Sequence, residues 1–218
     1  MKLERLIDHT LLKPDCTGSQ IKELCAEAIN HNFAAVCVPP YYVKDAASLL
    51  EKHDVKVSTV IGYPLGYAAT PAKVEEIKRA IDEGADEMDA VINLCAVKNA
   101  NWNYLRNEIE SLTTVCHIRG KIVKVILETG LLSKDEIIKI CSLVTEAKAD
   151  FVKTSTGFNG PGASVEVVQL LRQQLPASIK IKASGGIRDR HTAEQLIAAG
   201  ANRIGTSASL ALLAKSKN

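Results

Sequence analysis

The chain has 218 residues, 46% hydrophobic and 24% charged, which excludes disorder, collagen-like repeats and low complexity. Lys and Arg number 27 against 25 Asp and Glu, and a formal net charge of +2 leaves no electrostatic footprint for nucleic acid or an anionic membrane surface. Only 4% of residues are aromatic, with one Trp, so the core is expected to be aliphatic.

From the N-terminus, a weak candidate strand at Leu6–Thr10 precedes Leu11-Leu12-Lys13-Pro14. Clearer apolar, β-branched runs follow at Ala34–Val38, Val55–Ile61, Glu87–Ile92, Lys121–Leu127, Asp150–Thr154, Ile179–Ala183 and Arg203–Gly205. They are apolar on both sides of the two-residue alternation, the pattern of parallel strands covered on both faces. Amphipathic segments of helical period lie between them. Thr70-Pro71 reads as a cap followed by proline at the first helical position, and Ser133-Lys134-Asp135-Glu136 as a capping box. Gly84-Ala85-Asp86, Lys148-Ala149-Asp150 and Gly200-Ala201-Asn202 each stop a helix and launch a strand. The recurrence is one βα unit per strand, as right-handed parallel crossovers require. Seven clear runs plus Leu6–Thr10 make eight. The expected fold is therefore α/β, a single-domain (β/α)8 TIM barrel over residues 1–218, with an interior of layered Val, Ile and Leu. An open doubly wound sheet would want a glycine-rich fingerprint after its first strand, which the chain lacks.

Cys16, Cys25, Cys37, Cys95, Cys116 and Cys141 form no C-x-x-C, and none pairs with His at metal-ligand spacing. Free thiols in a cytoplasmic protein are expected, with no metal and no other cofactor. The charged start Met1-Lys2-Leu3-Glu4-Arg5 leads into no apolar signal segment. The longest uncharged run, Val57 to Ala72, is broken by Gly62, Pro64, Gly66 and Pro71 and falls short of the roughly 18 apolar residues of a membrane span.

Chemistry in a barrel sits at the C-terminal ends of strands. Lys153 and Lys182 both stand at or near such ends, on successive strands. Each has a plain alternative, pointing outward between strand and helix, because lysine is rarely buried without a partner. Two buried side by side would depress one another's pKa, giving the free amine that attack on a carbonyl needs. Asp89 lies inside an apolar strand, where period two puts Glu87 on its face and Met88 and Ala90 on the other. Facing inward, Asp89 offsets the lysine charges and serves as an acid–base group; facing outward, it caps a neighbouring helix. Asp8 reads equally as a turn residue, and His9 beside it as structural. Three loops follow late strands: Ser155-Thr156-Gly157, Ser184-Gly185-Gly186-Ile187-Arg188 and Gly205-Thr206-Ser207. Their backbone N–H groups and the arginine suit a phosphate.

Phe151-Val152-Lys153-Thr154-Ser155-Thr156-Gly157-Phe158 and Lys182-Ala183-Ser184-Gly185-Gly186-Ile187-Arg188 resemble the two signature segments of the deoxyribose-phosphate aldolase family. Asp8–Pro14, Thr59–Gly66 and Gly84–Asn93 are similar to three further family segments, so the resemblance runs from residue 8 to about 209. It implies a metal-free class I aldolase on a (β/α)8 barrel, cleaving 2-deoxy-D-ribose 5-phosphate reversibly to D-glyceraldehyde 3-phosphate and acetaldehyde. By the same resemblance Lys153 is the Schiff-base lysine, Lys182 the neighbour that lowers its pKa, and Asp89 the acid–base carboxylate working with a water. Cys37 matches an active-site cysteine that is not essential, and Asp8 and Thr10 match positions near the floor. Thr156 belongs to the same loops, in which Gly157, Gly185, Gly186, Arg188, Gly205 and Ser207 would cradle the phosphate. The expected partner is the small phosphosugar, with no nucleic acid and no membrane, and family members are commonly homodimers or homotetramers.

Three departures stand out. Cys95 occupies a usual glycine, Pro161 interrupts a usual Gly-Gly, and the ending Ala214-Lys215-Ser216-Lys217-Asn218 lacks a C-terminal tyrosine that some members use. They bear on activity level. The alternatives are another Schiff-base phosphosugar aldolase, transaldolase-like, and a non-catalytic phosphosugar-binding barrel.

Overall fold

The apolar, β-branched runs extend into eight strands in the computed structural model, which describes residues 2–213. In chain order the elements are β1 (Ile7–Thr10), α1 (Gly18–His31), β2 (Ala35–Val38), α2 (Val43–Leu50), β3 (Lys56–Ile61) and α3 (Thr70–Asp82). Next come β4 (Glu87–Val91), α4 (Leu94–Lys98), α5 (Trp102–Ile118), β5 (Ile122–Ile126), α6 (Lys134–Ala147) and β6 (Phe151–Lys153). The chain continues through α7 (Val165–Gln174), β7 (Lys180–Ser184), α8 (Arg190–Ala198), β8 (Arg203–Thr206) and α9 (Ser209–Leu213). Every strand pairs in parallel with its sequence neighbours, and β8 closes on β1. This is the expected (β/α)8 barrel, and the weak first run supplies its eighth strand. Among the described residues no helix is long and apolar enough to cross a membrane.

Local signals set the helix ends. Thr17 and Ser133 each build a capping box, with Gln20 and Glu136. The expected cap at Thr70 is displaced by one residue: α3 begins at Thr70 itself, Ala69 is the N-cap, and Pro71 lies in the first turn. The Thr70 hydroxyl instead donates to the Tyr104 hydroxyl at 3.4 Å. A proline in the first turn needs no capped N–H, so the helix starts without a side-chain cap. At the other end of α3, Gly84 turns at φ +106°, where a Cβ would lie 2.6 Å from that of Ala47.

The aliphatic core lies between sheet and helices. Val36, Met88, Val123, Val152 and Ile181 are fully buried from the strands, and Ile21, Ile77, Ile109 and Ile140 answer them from the helices. Between α3 and α5 sits a buried ion pair, Lys73 Nζ to Glu108 Oε1 at 2.8 Å. The same ammonium donates to the carbonyls of Gly66 (2.6 Å) and Val91 (2.7 Å), tying the β3–α3 loop to the end of β4.

The barrel interior differs from the expected Val, Ile and Leu layers. Asp8, Ser58, Glu87, Asp89, Lys124, Lys153 and Lys182 are buried there. Lys182 of β7 reaches Asp89 of β4 at 2.7 Å, a contact possible only across the inside. The physical reason is period two: on each strand the residues flanking a polar inward one point at the helices, so the aliphatic content goes to the outer layer.

Candidate active site

Strand register brings the polar side chains together. Lys153 is the direct partner of Lys182 across β6 and β7, and Lys182 is the partner of Arg203 on β8. On the facing side, Asp89 of β4 is the partner of Lys124 on β5. Asp89 is the hub. Its Oδ2 accepts from Lys153 Nζ at 2.8 Å and from Lys182 Nζ at 2.7 Å. Its Oδ1 accepts from Lys124 Nζ at 2.7 Å and from the Ser58 hydroxyl at 3.1 Å. Below, Asp8 Oδ2 lies 2.5 Å from Lys182 Nζ, and Arg203 Nε donates to Asp8 Oδ1 at 2.7 Å. Glu87 Oε2 lies 2.6 Å from Lys124 Nζ and 3.0 Å from the Arg203 guanidinium.

The electrostatics single out one lysine. Lys124, Lys153, Lys182 and Arg203 face Asp8, Glu87 and Asp89, so full ionisation would leave one cation in excess. Burial pushes the Lys153 ammonium below the ordinary lysine value, and neighbouring Lys182 pushes it further, against the pull of Asp89. The reverse holds for Lys182: burial alone would lower it, but Asp8 and Asp89 together raise it. Burial would likewise raise Asp89, yet Lys124, Lys153 and Lys182 hold its carboxyl well below the usual range. With Lys153 neutral the charges balance. The directions of these shifts make Lys153 the member that gives up its proton first, with Lys182 and Asp89 keeping their charges.

Lys153 is also the member of this group that opens outward. It lines a cavity of about 250 Å³ at the C-terminal mouth, together with Thr10, Thr156, Gly157, Gly185, Gly186, Arg188, Gly205 and Ser207. All of these were read from the sequence. Asp8, Asp89 and Lys182 lie beneath the cavity, fully buried or nearly so. Cys37 is buried in the field of Lys182, Asp89 and Lys153, and burial pushes its thiol up. His9 faces away, its ring nitrogens 2.8 Å from Ser209 Oγ and 2.6 Å from Glu27 Oε2, a structural role as expected. All six cysteines are free.

The upper walls are largely backbone. The β6–α7 and β7–α8 loops press together so closely that a Cβ on Gly162 would lie 2.0 Å from the Gly185 carbonyl oxygen. Gly157 and Gly185, at φ +87° and +92°, take conformations that other residues rarely adopt. Pro161 packs against Gly130, where a Cβ would lie 2.8 Å from the proline Cδ. Cys95 is exposed on α4 and does not line the cavity. The absent C-terminal tyrosine falls at residues 214–218, outside the described residues.

Several contributors escaped the sequence reading. Lys124 stands in Ile122-Val123-Lys124-Val125-Ile126, the same lone charge in an apolar run that marked Lys153. Arg203 and Ser58 complete its surroundings, together with Glu87, which strand period two already set on the face of Asp89. At the mouth, Lys13 and Tyr63 also line the cavity, both inside segments that carry the family resemblance.

A closed eight-stranded barrel with a charge-balanced lysine opening on a small cavity at its C-terminal mouth defines a barrel enzyme of the aldolase type. Residues 3–215 match the DeoC/LacD family of aldolases, and the chain belongs to that family. It is 49% identical over 220 residues to the deoxyribose-phosphate aldolase of Thermococcus gammatolerans, covering 100% of this chain and 98% of the relative. It is 50% identical over 214 residues to that of Thermococcus kodakarensis, covering 97% and 96%. The tetrameric deoxyribose phosphate aldolase of Aeropyrum pernix superposes with a TM-score of 0.91 at 34% identity, covering 97% of this chain and 89% of that one.

Proposed function

We propose that this chain is a deoxyribose-phosphate aldolase, cleaving 2-deoxy-D-ribose 5-phosphate to D-glyceraldehyde 3-phosphate and acetaldehyde through a Schiff base on Lys153. The observation that carries the reading is the Lys153 amine, buried, lowered in pKa and open to the cavity.

Neutral Lys153 attacks the aldehyde carbon of the open-chain sugar, and the carbinolamine loses water to give an iminium. That cation forms where Asp89 already sits 2.8 Å from the nitrogen, so its charge is compensated as it appears. Loss of the proton from the C3 hydroxyl then breaks the C2–C3 bond, with the iminium as electron sink. Glyceraldehyde 3-phosphate leaves, the enamine is protonated at carbon, and water releases acetaldehyde. Asp89, kept ionised by Lys124 and Lys182, suits passing a proton on, directly or through a water, rather than storing one. Lys182, raised in pKa by Asp8 and Asp89, keeps its charge 2.7 Å from the same oxygen, so its field disfavours a second ammonium on Lys153. The glycine loops with Arg188 and Lys13, which line the same cavity as Lys153, would receive the phosphate, with Ser207 as a further donor.

Borohydride reduction with acetaldehyde present is expected to label Lys153 irreversibly, and coupled detection of glyceraldehyde 3-phosphate from 2-deoxyribose 5-phosphate assigns the substrate. Failure to trap any aldehyde sinks the Schiff-base reading. Trapping without release from this sugar points instead to another phosphosugar. The free cysteines favour the cytoplasm, and the tetramer of the Aeropyrum pernix relative favours a homo-oligomer.

A further inference from the structure

Glu128 lies just beyond β5 and takes no part in the chemistry above. Its side chain is fully buried, and its backbone is left-handed, at φ 59° and ψ 56°. A non-glycine residue keeps that conformation only where its surroundings hold it, and such residues gather at functional sites. The surroundings here are specific. One carboxylate oxygen accepts the Thr156 N–H at 3.1 Å, and the other accepts the Thr156 hydroxyl in a short hydrogen bond and the Asn159 side-chain amide at 3.4 Å. These donors are all neutral and all belong to the β6–α7 loop.

The same loop is gripped from a second side. The Tyr63 hydroxyl donates to the Thr156 carbonyl at 2.7 Å, and Asn159 donates to the Pro64 carbonyl at 2.9 Å. Thr156 passes the constraint on, its hydroxyl accepting the Phe158 N–H at 3.1 Å. The residue between them is Gly157, which carries backbone into the cavity. The loop's far end is pinned where Gly162 meets Gly185. Thr156 and Gly157 are therefore fixed from outside the cavity by a carboxylate that does not line it.

We infer that Glu128 is a positioning residue whose buried carboxylate shapes the β6–α7 loop to receive the phosphorylated end of the substrate, and so sets the preference for phosphorylated over unphosphorylated sugar. This rests on the phosphosugar reading given above. The carboxylate suits the task because both its oxygens accept, whereas an amide in its place offers one acceptor and turns a donor toward donors. The Lys153 amine is held from β4 by Asp89, and the backbone bonds from Leu127 N–H to the Lys153 carbonyl and from Thr129 N–H to the Thr154 carbonyl remain when the Glu128 carboxylate is lost, so the damage is felt first at the phosphate end.

The test compares Glu128→Gln and Glu128→Gly, each checked for native thermal unfolding. Glutamine keeps the shape, and glycine accepts the left-handed backbone without strain while deleting the carboxylate. Both are expected to raise KM for 2-deoxyribose 5-phosphate by about 10- to 100-fold, the penalty of a misplaced binding group, with little change in kcat. Cleavage of unphosphorylated 2-deoxyribose is expected to hold near its wild-type kcat/KM. Inorganic phosphate, titrated by calorimetry, is expected to bind both variants more weakly than wild type. A parallel fall for the two sugars overturns the inference, as does unchanged phosphate affinity. Wild-type KM in Glu128→Gly overturns it too, because the backbone conformation alone would then suffice. If wild type fails to cleave the phosphosugar while phosphate affinity still depends on Glu128, the aldolase reading falls and the positioning role stands.

Discussion

Replacing Lys182 by methionine should convert Lys153 from a free amine to an ammonium ion at neutral pH. Both lysine nitrogens lie within 2.8 Å of the same Asp89 oxygen, so they are less than twice that distance apart. At about 5 Å and an effective dielectric of about 20, two like charges repel by about 3 kcal/mol. That corresponds to a rise of about 2 units in the pKa of Lys153 when the neighbour is removed. Charge counting gives the same direction. Without Lys182, the carboxylates Asp8, Glu87 and Asp89 face Lys124, Arg203 and Lys153, which balance only if Lys153 holds its proton. The assay is the pH dependence of kcat/KM for 2-deoxyribose 5-phosphate. The acidic limb is expected to move up by about 2 units, so that the activity lost at neutrality returns as pH rises. Loss of activity by the same factor at every pH would refute the electrostatic role. An unmoved limb with full activity would remove Lys182 from the site.

Lys153→Met should abolish both turnover and borohydride trapping, yet stabilise the fold at pH 7. An amine whose native pKa is lowered must give up its proton on folding, a cost present below the ordinary lysine value and fading as pH rises towards about 10. Thermal unfolding should therefore place this variant above wild type near neutrality, with the gap closing in alkali; a lower Tm at every pH would contradict the assignment. Lys73→Met should cost about 3–5 kcal/mol in urea unfolding because it strands the buried Glu108 carboxylate, and Lys73→Met with Glu108→Leu should recover part of that. A single-variant loss below about 1 kcal/mol would mean the pair is hydrated. Gly162→Ala should raise KM about 10- to 100-fold by forcing the two mouth loops apart, since its Cβ would lie 2.0 Å from the Gly185 oxygen. An unchanged KM would show that the loops part without affecting the cavity.

What the sequence made legible, and what it concealed, follows from how a barrel is built. Strands show in sequence because their outward residues are β-branched and buried, which is why Val36, Val123, Val152 and Ile181 marked them within one or two residues. The same dominance hid the interior. A strand such as Phe151–Lys153 is too short to establish an alternation, and Lys124 appears as one charge in an apolar run. Its meaning comes from register, which sets it beside Asp89, and register is a property of strands paired in space. Asp8, equally readable as a turn residue, acquires its role only when β8 brings Arg203 alongside. Lys153, Lys182 and Asp89 could be named because motif resemblance carries register implicitly. The left-handed Glu128 had no sequence signal, since its backbone is dictated by the loop packed above it.

The closure of β8 on β1 has a consequence for how the molecule is made. Asp8 belongs to the first strand and Glu87 to the fourth, but the Arg203 guanidinium that bridges them arrives with the last. Glu87 has Lys124 beside it on β5, whereas Asp8 gains its two close cations, Lys182 and Arg203, only from the last two strands. Burying a carboxylate without its cation is costly, so closing the ring before β7 and β8 are in place is disfavoured. The seam that completes the ring also brings in the guanidinium that bridges Asp8 and Glu87. Closure of the barrel and completion of the charge network around Asp8 therefore fall on the same strand pairing, β8 with β1.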